Sequence, residues 1–129
     1  MTKKVKEVPT ISFEDFIVAP KFENPQKFIL KLQGKETDHF LMVIGKDAKP
    51  VRRAKSKSMF EAAKKFKTNE WSDDEADKLT NTILASAIVS WSFDMPCNDE
   101  NKIKLLNGNP SVAEELDSFL GDDTNFLGK

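Results

Sequence analysis

The segment from Ser72 to Trp91 constrains the fold most, because it joins a helix start signal to a long apolar stripe. Ser72 is followed by three acidic residues, which together form a capping box at the positive end of a helix dipole. Apolar residues then recur at helical spacing: Ala76, Leu79, Ile83, Leu84, Ala87, Ile88 and Trp91. The pattern predicts one amphipathic helix that reaches Trp91 and forms the spine of the fold.

A second period, of two residues, begins at Lys27. Phe28, Leu30 and Leu32 alternate with Ile29, Lys31 and Gln33, and an almost wholly apolar run from His39 to Ile44 follows Gly34 to Asp38. This predicts a β-hairpin with a loop of about five residues. Phe40, Met42 and Ile44 should share one face of the second strand, with Leu41 and Val43 on the other. That strand is therefore expected to be buried on both sides or to face a partner.

Further start and stop signals predict shorter helices. Ser12 with Asp15 should open one or two turns through Val18, and Pro20 should stop them. Arg53 to Lys67 reads as a helix with Met59, Ala63 and Phe66 at helical spacing and Phe60 beside them. Asn98 should cap a helix that carries Ile103 and Leu106 and ends at Asn107-Gly108. Asn109-Pro110 should open a last helix that ends at Gly121 and buries Val112, Leu116, Phe119 and Leu120.

The expected fold class is α+β: a small N-terminal β-hairpin packed on a mainly α-helical body of about four helices. Residues 1–10 are polar and basic, and we expect a flexible arm there, followed by a single domain over residues 11–129. One cysteine, Cys97, and no leader of signal length favour a reducing cytoplasm. The longest mostly apolar stretch, Ile83 to Trp91, is too short to cross a membrane, so no membrane association is expected.

Charge is distributed unevenly along the chain. Met1 to Glu70 holds sixteen Lys and Arg residues against nine Asp and Glu, a formal charge of +7, whereas Trp71 to Lys129 holds four against twelve, a charge of −8. Nine basic residues lie between Lys46 and Lys67. Such a segment could bind nucleic acid, but the basic excess does not extend over the whole chain, and a solvated helix face is the simpler interpretation.

The residues that carry enzymatic chemistry are sparse. His39 is the only histidine, and we interpret it as a residue at the end of a strand and not as part of a Ser-His-Asp arrangement or a histidine-rich metal site. Cys97 has no activating base in its pattern. The acidic group Asp73, Asp74, Glu75 and Asp77 is explained by helix capping, and no glycine-rich phosphate loop occurs. We therefore expect a non-enzymatic protein with no catalytic, cofactor-binding or metal-binding residues.

Large aromatic residues are the candidates for partner binding, because they serve equally as core fillers and as interface anchors. The core is the favoured place for Trp91 and Phe119, whereas core and interface are about equally favoured for Phe126. Phe126 and Leu127 could then form an exposed hook for a partner. The predicted partner-binding residues are Arg52, Arg53, Trp91, Phe93, Phe119, Phe126 and Leu127.

Ordered features between Ala85 and Phe126 carry a resemblance to a known family. They are an alanine-rich helix ending in a Trp, Phe93-Asp94-Met95-Pro96, Glu100-Asn101 followed by Leu105-Leu106, and Asn109 to Leu116. This order resembles the C-terminal half of tail assembly chaperones of long-tailed bacteriophages. The resemblance implies a chaperone in the host cell cytoplasm that binds the tape measure protein and helps recruit tail tube protein. A structural tail or connector subunit of the virion, and a nucleic-acid-binding accessory protein, are the alternatives.

Two further expectations concern assembly. Members of the resembling family are made in two lengths by ribosomal slippage, and the codons of Gly128-Lys129 can supply the purine run that slippage needs, so this chain is expected to be the short form. The uneven charge also predicts weak, salt-sensitive self-association. In that hypothesis Arg52, Arg53 and Lys55 of one copy lie near Asp73, Asp74 and Asp77 of the next.

Overall fold

The computed structural model describes residues 10–128 and has an α+β fold, as the sequence predicts. A three-stranded antiparallel sheet has the order β1-β2-β3, with β1 Gln26–Leu32, β2 Lys35–Val43 and β3 Ile88–Trp91. The α-helices are α1 Lys49–Lys67, α2 Asp73–Ala87, α3 Asp99–Gly108, α4 Pro110–Gly121 and the short α5 Thr124–Leu127. Two 3₁₀ turns, Phe13–Phe16 and Ala19–Glu23, precede the sheet. Residues 1–9 of the expected arm and Lys129 lie outside the described residues.

The β-hairpin is present, but its connection has two residues and not five. Gln33 and Gly34 have φ values of 52° and 78°, the left-handed pair that matches the twist of two antiparallel strands. Leu32 therefore pairs directly with Lys35, and the polar residues expected in a loop belong to β2. They are tolerated in a strand because this end of the hairpin is mostly exposed to solvent.

Only one face of β2 is fully buried. Leu41 and Val43 are wholly inaccessible and point into the core, whereas Phe40 and Met42 on the other face are half-buried. The ammonium group of Lys27 lies 4.4 Å from the centroid of the Phe40 ring and covers part of that second face. The expectation of burial on both sides is therefore met only in part.

The predicted spine helix ends earlier than expected. Helix α2 stops at Ala87, and Ile88–Trp91 form strand β3 at the edge of the sheet. Ile88 pairs with Val43 and Trp91 with Leu41, and the Ile44 amide donates to the Ala87 carbonyl over 2.9 Å. Ile88 and Val89 are β-branched, which favours a strand once an open edge of β2 is available for pairing. The prediction of a helix to Trp91 was wrong.

The helix caps follow the sequence closely. The Ser72 hydroxyl accepts from the Glu75 amide, Asn98 Oδ1 accepts from the Asn101 amide over 2.9 Å, and Asn109 Oδ1 accepts from the Val112 amide over 3.2 Å. In the first 3₁₀ turn the Ser12 amide donates to the Asp15 carboxylate over 2.9 Å. Pro20 does not stop this turn as expected. Pro20 lies in the first turn of the second 3₁₀ turn, a position where a backbone amide has no hydrogen-bond partner within the helix in any case.

The hydrophobic core lies between one face of the sheet and helices α2 to α5. Its largest fully buried side chains are Phe22, Leu41, Val43, Ile88, Leu106 and Leu116. Gly45 packs directly beneath Phe22, and its amide donates to the Phe22 carbonyl over 2.6 Å. A Cβ atom at Gly45 would overlap the Phe22 ring, so this close approach requires glycine.

Helices α1 and α2 form a hairpin that contributes residues to this core only at the start of α1 and the end of α2. Val51 from α1 and Leu84, Ala85 and Ala87 from α2 belong to the core, and Ile83 packs against it. Among the described residues, no hydrophobic one between 52 and 82 belongs to the core or packs against it, although buried Asn81 donates from Nδ2 to Asn107 Oδ1 of α3. We call residues 52–82 the helical arm. The arm therefore adds no hydrophobic side chain to the core.

Candidate functional site

Within the helical arm, the inner face of α1 packs against α2 through small side chains. Ser58 is buried and Ala54 and Ala62 are half-buried, at positions four residues apart on one side of the helix. Side chains this small let the two helix backbones approach closely. They also leave the larger apolar residues of α1 on the opposite side.

That opposite side is the candidate functional site. Met59, Phe60 and Phe66 are 57%, 65% and 66% exposed, and Ala63 between them is also exposed. We call these four residues the outer face of α1. Exposed large apolar side chains that recur along one helix are typical of an interaction surface. Sequence analysis placed these residues at helical spacing but had no signal for the direction in which they point.

Basic residues border the outer face. Exposed Arg52, Arg53, Lys64 and Lys67 lie at helical spacing around it, and α1 as a whole carries eight Lys and Arg residues against one Glu. The Lys64 ammonium lies 4.9 Å from the Phe60 ring centroid. Arg52 donates from Nε to the Asp47 carbonyl over 2.8 Å, which holds it at the start of the helix. The predicted partner residues Arg52 and Arg53 thus extend the outer face toward the sheet.

The far end of the arm is closed by specific contacts. The Phe66 ring stacks on the half-buried Trp71 ring, with centroids 6.0 Å apart, and Asn69 ends α1 in the left-handed region at a φ of 60°. Lys65 Nζ lies 2.7 Å from Glu75 Oε1 and joins α1 to the first turn of α2. Their hydrogen bond raises the pKa of Lys65 and lowers the pKa of Glu75, with desolvation opposing both shifts. These contacts fix the orientation of the two helices.

The predicted hook at the end of the chain is packed into the core. Phe126 is buried in α5, with its ring centroid 5.8 Å from that of Phe22 and 5.9 Å from that of Phe119. Phe119 is half-buried and contacts Phe28 as well, and Leu127 is half-buried. The short helix α5, which the sequence analysis missed, turns the ring inward. The expectation that Phe126 and Leu127 form an exposed hook was wrong.

Trp91 and Phe93 form a separate half-buried group at the end of β3. Their rings meet edge to face with centroids 5.3 Å apart, and the Trp91 indole donates to the Met95 carbonyl over 2.9 Å. His39, inside β2 and not at its end as expected, stacks on Phe93 at 4.5 Å. Ser92 Oγ accepts from the Phe40 amide and lies 2.9 Å from His39 Nδ1. This network supports the edge of the sheet.

Other reactive groups do not assemble into a site. Cys97 is half-buried, and desolvation raises its pKa while Lys102 opposes that shift, so its thiolate form is disfavoured. Within residues 10–128 no three His, Cys, Asp or Glu side chains are grouped as metal ligands. No helix in the same range has the length and apolar character needed to span a membrane.

The seven predicted partner residues therefore fall into three places. Arg52 and Arg53 lie on the helical arm, Trp91 and Phe93 pack against the core at the sheet edge, and Phe119, Phe126 and Leu127 lie in or against the core beside helices α4 and α5. No family model, curated protein or solved structure matches the chain at a significant level. The surface chemistry of the arm is consequently the main guide to function.

Proposed function

We propose that this chain is a tail assembly chaperone of a long-tailed bacteriophage, which acts in the host cytoplasm, binds the tape measure protein and helps recruit tail tube protein. The observation that carries the proposal is the outer face of α1, where Met59, Phe60 and Phe66 are more than half exposed on a helix that contributes only Val51 to the core. The resemblance between Ala85 and Phe126 supplies the identity of the partner.

The outer face is suited to a helical partner. An amphipathic helix binds by laying its apolar stripe on a complementary apolar surface, with residues three and four apart acting as anchors. Met59, Ala63 and Phe66 have this spacing themselves, so the two stripes can run side by side. The basic border adds a preference for helices whose flanks are acidic. Long helical stretches of a tape measure protein offer many copies of such a stripe.

Co-expression with a tape measure fragment tests the proposal. We expect the wild-type chain to keep an otherwise insoluble fragment in solution and to co-purify with it. The double variant Phe60→Ser/Phe66→Ser should fold normally, because both rings are exposed, but should lose at least about tenfold in affinity for the fragment. Leu32→Ser is the matched control, since Leu32 is 61% exposed at the tip of the β-hairpin, away from the arm. Equal solubility of the fragment with and without the chain would contradict the proposal.

The basic character of α1 makes nucleic-acid binding the main alternative function. Binding to phosphates weakens steeply as salt is raised, whereas apolar contact with a helix does not. Titration of DNA and of a tape measure peptide at two salt concentrations therefore separates the two functions. A third possibility, a structural subunit of the tail or connector, predicts that the chain is found in mature virions. A chaperone is expected to be absent from them.

A further inference from the structure

A second exposed apolar surface lies at the start of the described chain. Phe13 and Phe16 are 74% and 69% exposed in the first 3₁₀ turn, and Ile11 and Ile17 on either side of them are also more than half exposed. We call Ile11 to Ile17 the N-terminal segment. All of its residues are exposed, so no other part of the chain between residues 10 and 128 covers it. Four large apolar side chains in seven residues are unusual for a surface turn with no partner.

The N-terminal segment is complementary to the outer face of α1. Two acidic residues, Glu14 and Asp15, separate its aromatic rings, whereas the rings of the outer face are bordered by Arg52, Arg53, Lys64 and Lys67. Phe13 and Phe16 are three residues apart in the 3₁₀ turn, the spacing at which side chains share one side of such a turn. Both surfaces are thus apolar, and the acidic charge of one complements the basic charge around the other.

We propose that the N-terminal segment of one copy docks on the outer face of α1 of a second copy. Phe13 and Phe16 lie against Phe60 and Phe66, and Glu14 and Asp15 approach the lysines that border the face. The proposal concerns self-association and does not require a tape measure protein. It uses the same face of α1, so a bound segment and a bound partner helix exclude one another.

The two surfaces are different, so the contact is heterologous. After one contact forms, the first copy still offers a free outer face and the second a free N-terminal segment, and copies add head to tail until a ring closes or the chain stays open. One seven-residue segment buries less than the roughly 1,600 Å² of a standard interface, so each contact is weak. We expect association that rises with protein concentration and falls with salt.

Two complementary variants test this arrangement by sedimentation velocity. Phe13→Ser/Phe16→Ser removes the segment's rings but keeps the outer face, and Phe60→Ser/Phe66→Ser does the reverse. Because all four rings are more than half exposed, both variants should stay folded, and only the second should lose a little thermal stability, since Phe66→Ser removes the ring stacked on Trp71. Each variant alone should be monomeric at concentrations where the wild type associates. An equimolar mixture should form a heterodimer and nothing larger, since only one functional segment and one functional face then meet.

Three results would overturn the proposal. The wild type stays monomeric at all concentrations, or either variant associates like the wild type, or the mixture of the two variants contains only monomers. Charge reversal supplies an independent check. Glu14→Lys, which leaves the Asp15 cap of the turn intact, should weaken association by about tenfold, and combining it with Lys64→Glu in the same chain should restore it. Failure of the combined variant to regain association would also count against the proposed contact. Loss of tape measure binding alone would leave these results unchanged.

Discussion

The ring of Phe126 packs against the ring of Phe22, with centroids 5.8 Å apart, although the two residues lie near opposite ends of the described chain. Phe22 also contacts Gly45, whose amide donates to the Phe22 carbonyl. The contact joins the second 3₁₀ turn to α5 and closes the core over the sheet. The last residues of the described chain are therefore part of the folded body.

Phe126→Ala should destabilise the protein by about 3 to 5 kcal/mol, because a nearly buried aromatic ring is removed from the core and leaves a cavity. Phe60→Ala, at an exposed position, should change stability by no more than about 0.5 kcal/mol. The loss of stability in Trp91→Ala should lie between these two values, since Trp91 is half-buried at a sheet edge. Urea unfolding measures all three. An unchanged midpoint for Phe126→Ala would contradict the packing described here.

Gly45→Ala should cost about 1 to 3 kcal/mol, because the added methyl group overlaps the Phe22 ring and neither neighbour can move freely within the core. Gly121→Ala is the matched control. A Cβ atom there meets nothing within 4 Å at the end of α4, so this variant should be neutral or slightly stabilising. Thermal unfolding of the two variants should therefore give shifts of different size, and equal shifts would argue against the close contact at Gly45.

Ser92→Ala should destabilise the sheet edge by about 1 to 3 kcal/mol, because the part-buried Phe40 amide loses the oxygen to which it donates. His39 Nδ1 loses its hydrogen-bond partner in the same variant. Hydrogen exchange of the Phe40 amide should become faster. Ser90→Ala, an exposed neighbour on β3, should leave that exchange rate unchanged. If the Phe40 amide exchanges equally in both variants, the Ser92 hydroxyl does not protect it.

The ion pair between Lys65 and Glu75 should make the arm sensitive to pH. The folded pKa of Glu75 is lowered, so its contribution to stability is present above the unfolded carboxyl pKa and is lost as pH falls through the folded value. The raised pKa of Lys65 means that the contribution is also lost at strongly alkaline pH. Glu75→Gln should therefore lower the melting temperature near pH 7 and have little effect near pH 3. Glu114→Gln, on the exposed side of α4, should show no such difference between the two pH values.

The candidate site could be predicted from sequence only in part. The basic excess of residues 46–67, their helical character and the spacing of Met59, Ala63 and Phe66 are all readable from the chain. A helix with two apolar stripes has two possible buried faces, however, and its sequence does not rank them. Packing against α2 covers the stripe of small residues around Ser58 and leaves the aromatic stripe exposed.

Local chemistry in the sequence determined the starts of the helices. Ser72, Asn98 and Asn109 cap helices through hydrogen bonds that span three residues, so the information lies within one turn of chain. The tertiary structure decided the features that depend on distant partners. Ile88–Trp91 leave the helical pattern because β2 offers hydrogen bonds to a strand there, and Phe126 turns inward because Phe22 and Phe119 form a place for its ring. Burial and strand pairing depend on contacts between segments far apart in sequence, and a local pattern does not specify which distant segment packs against it.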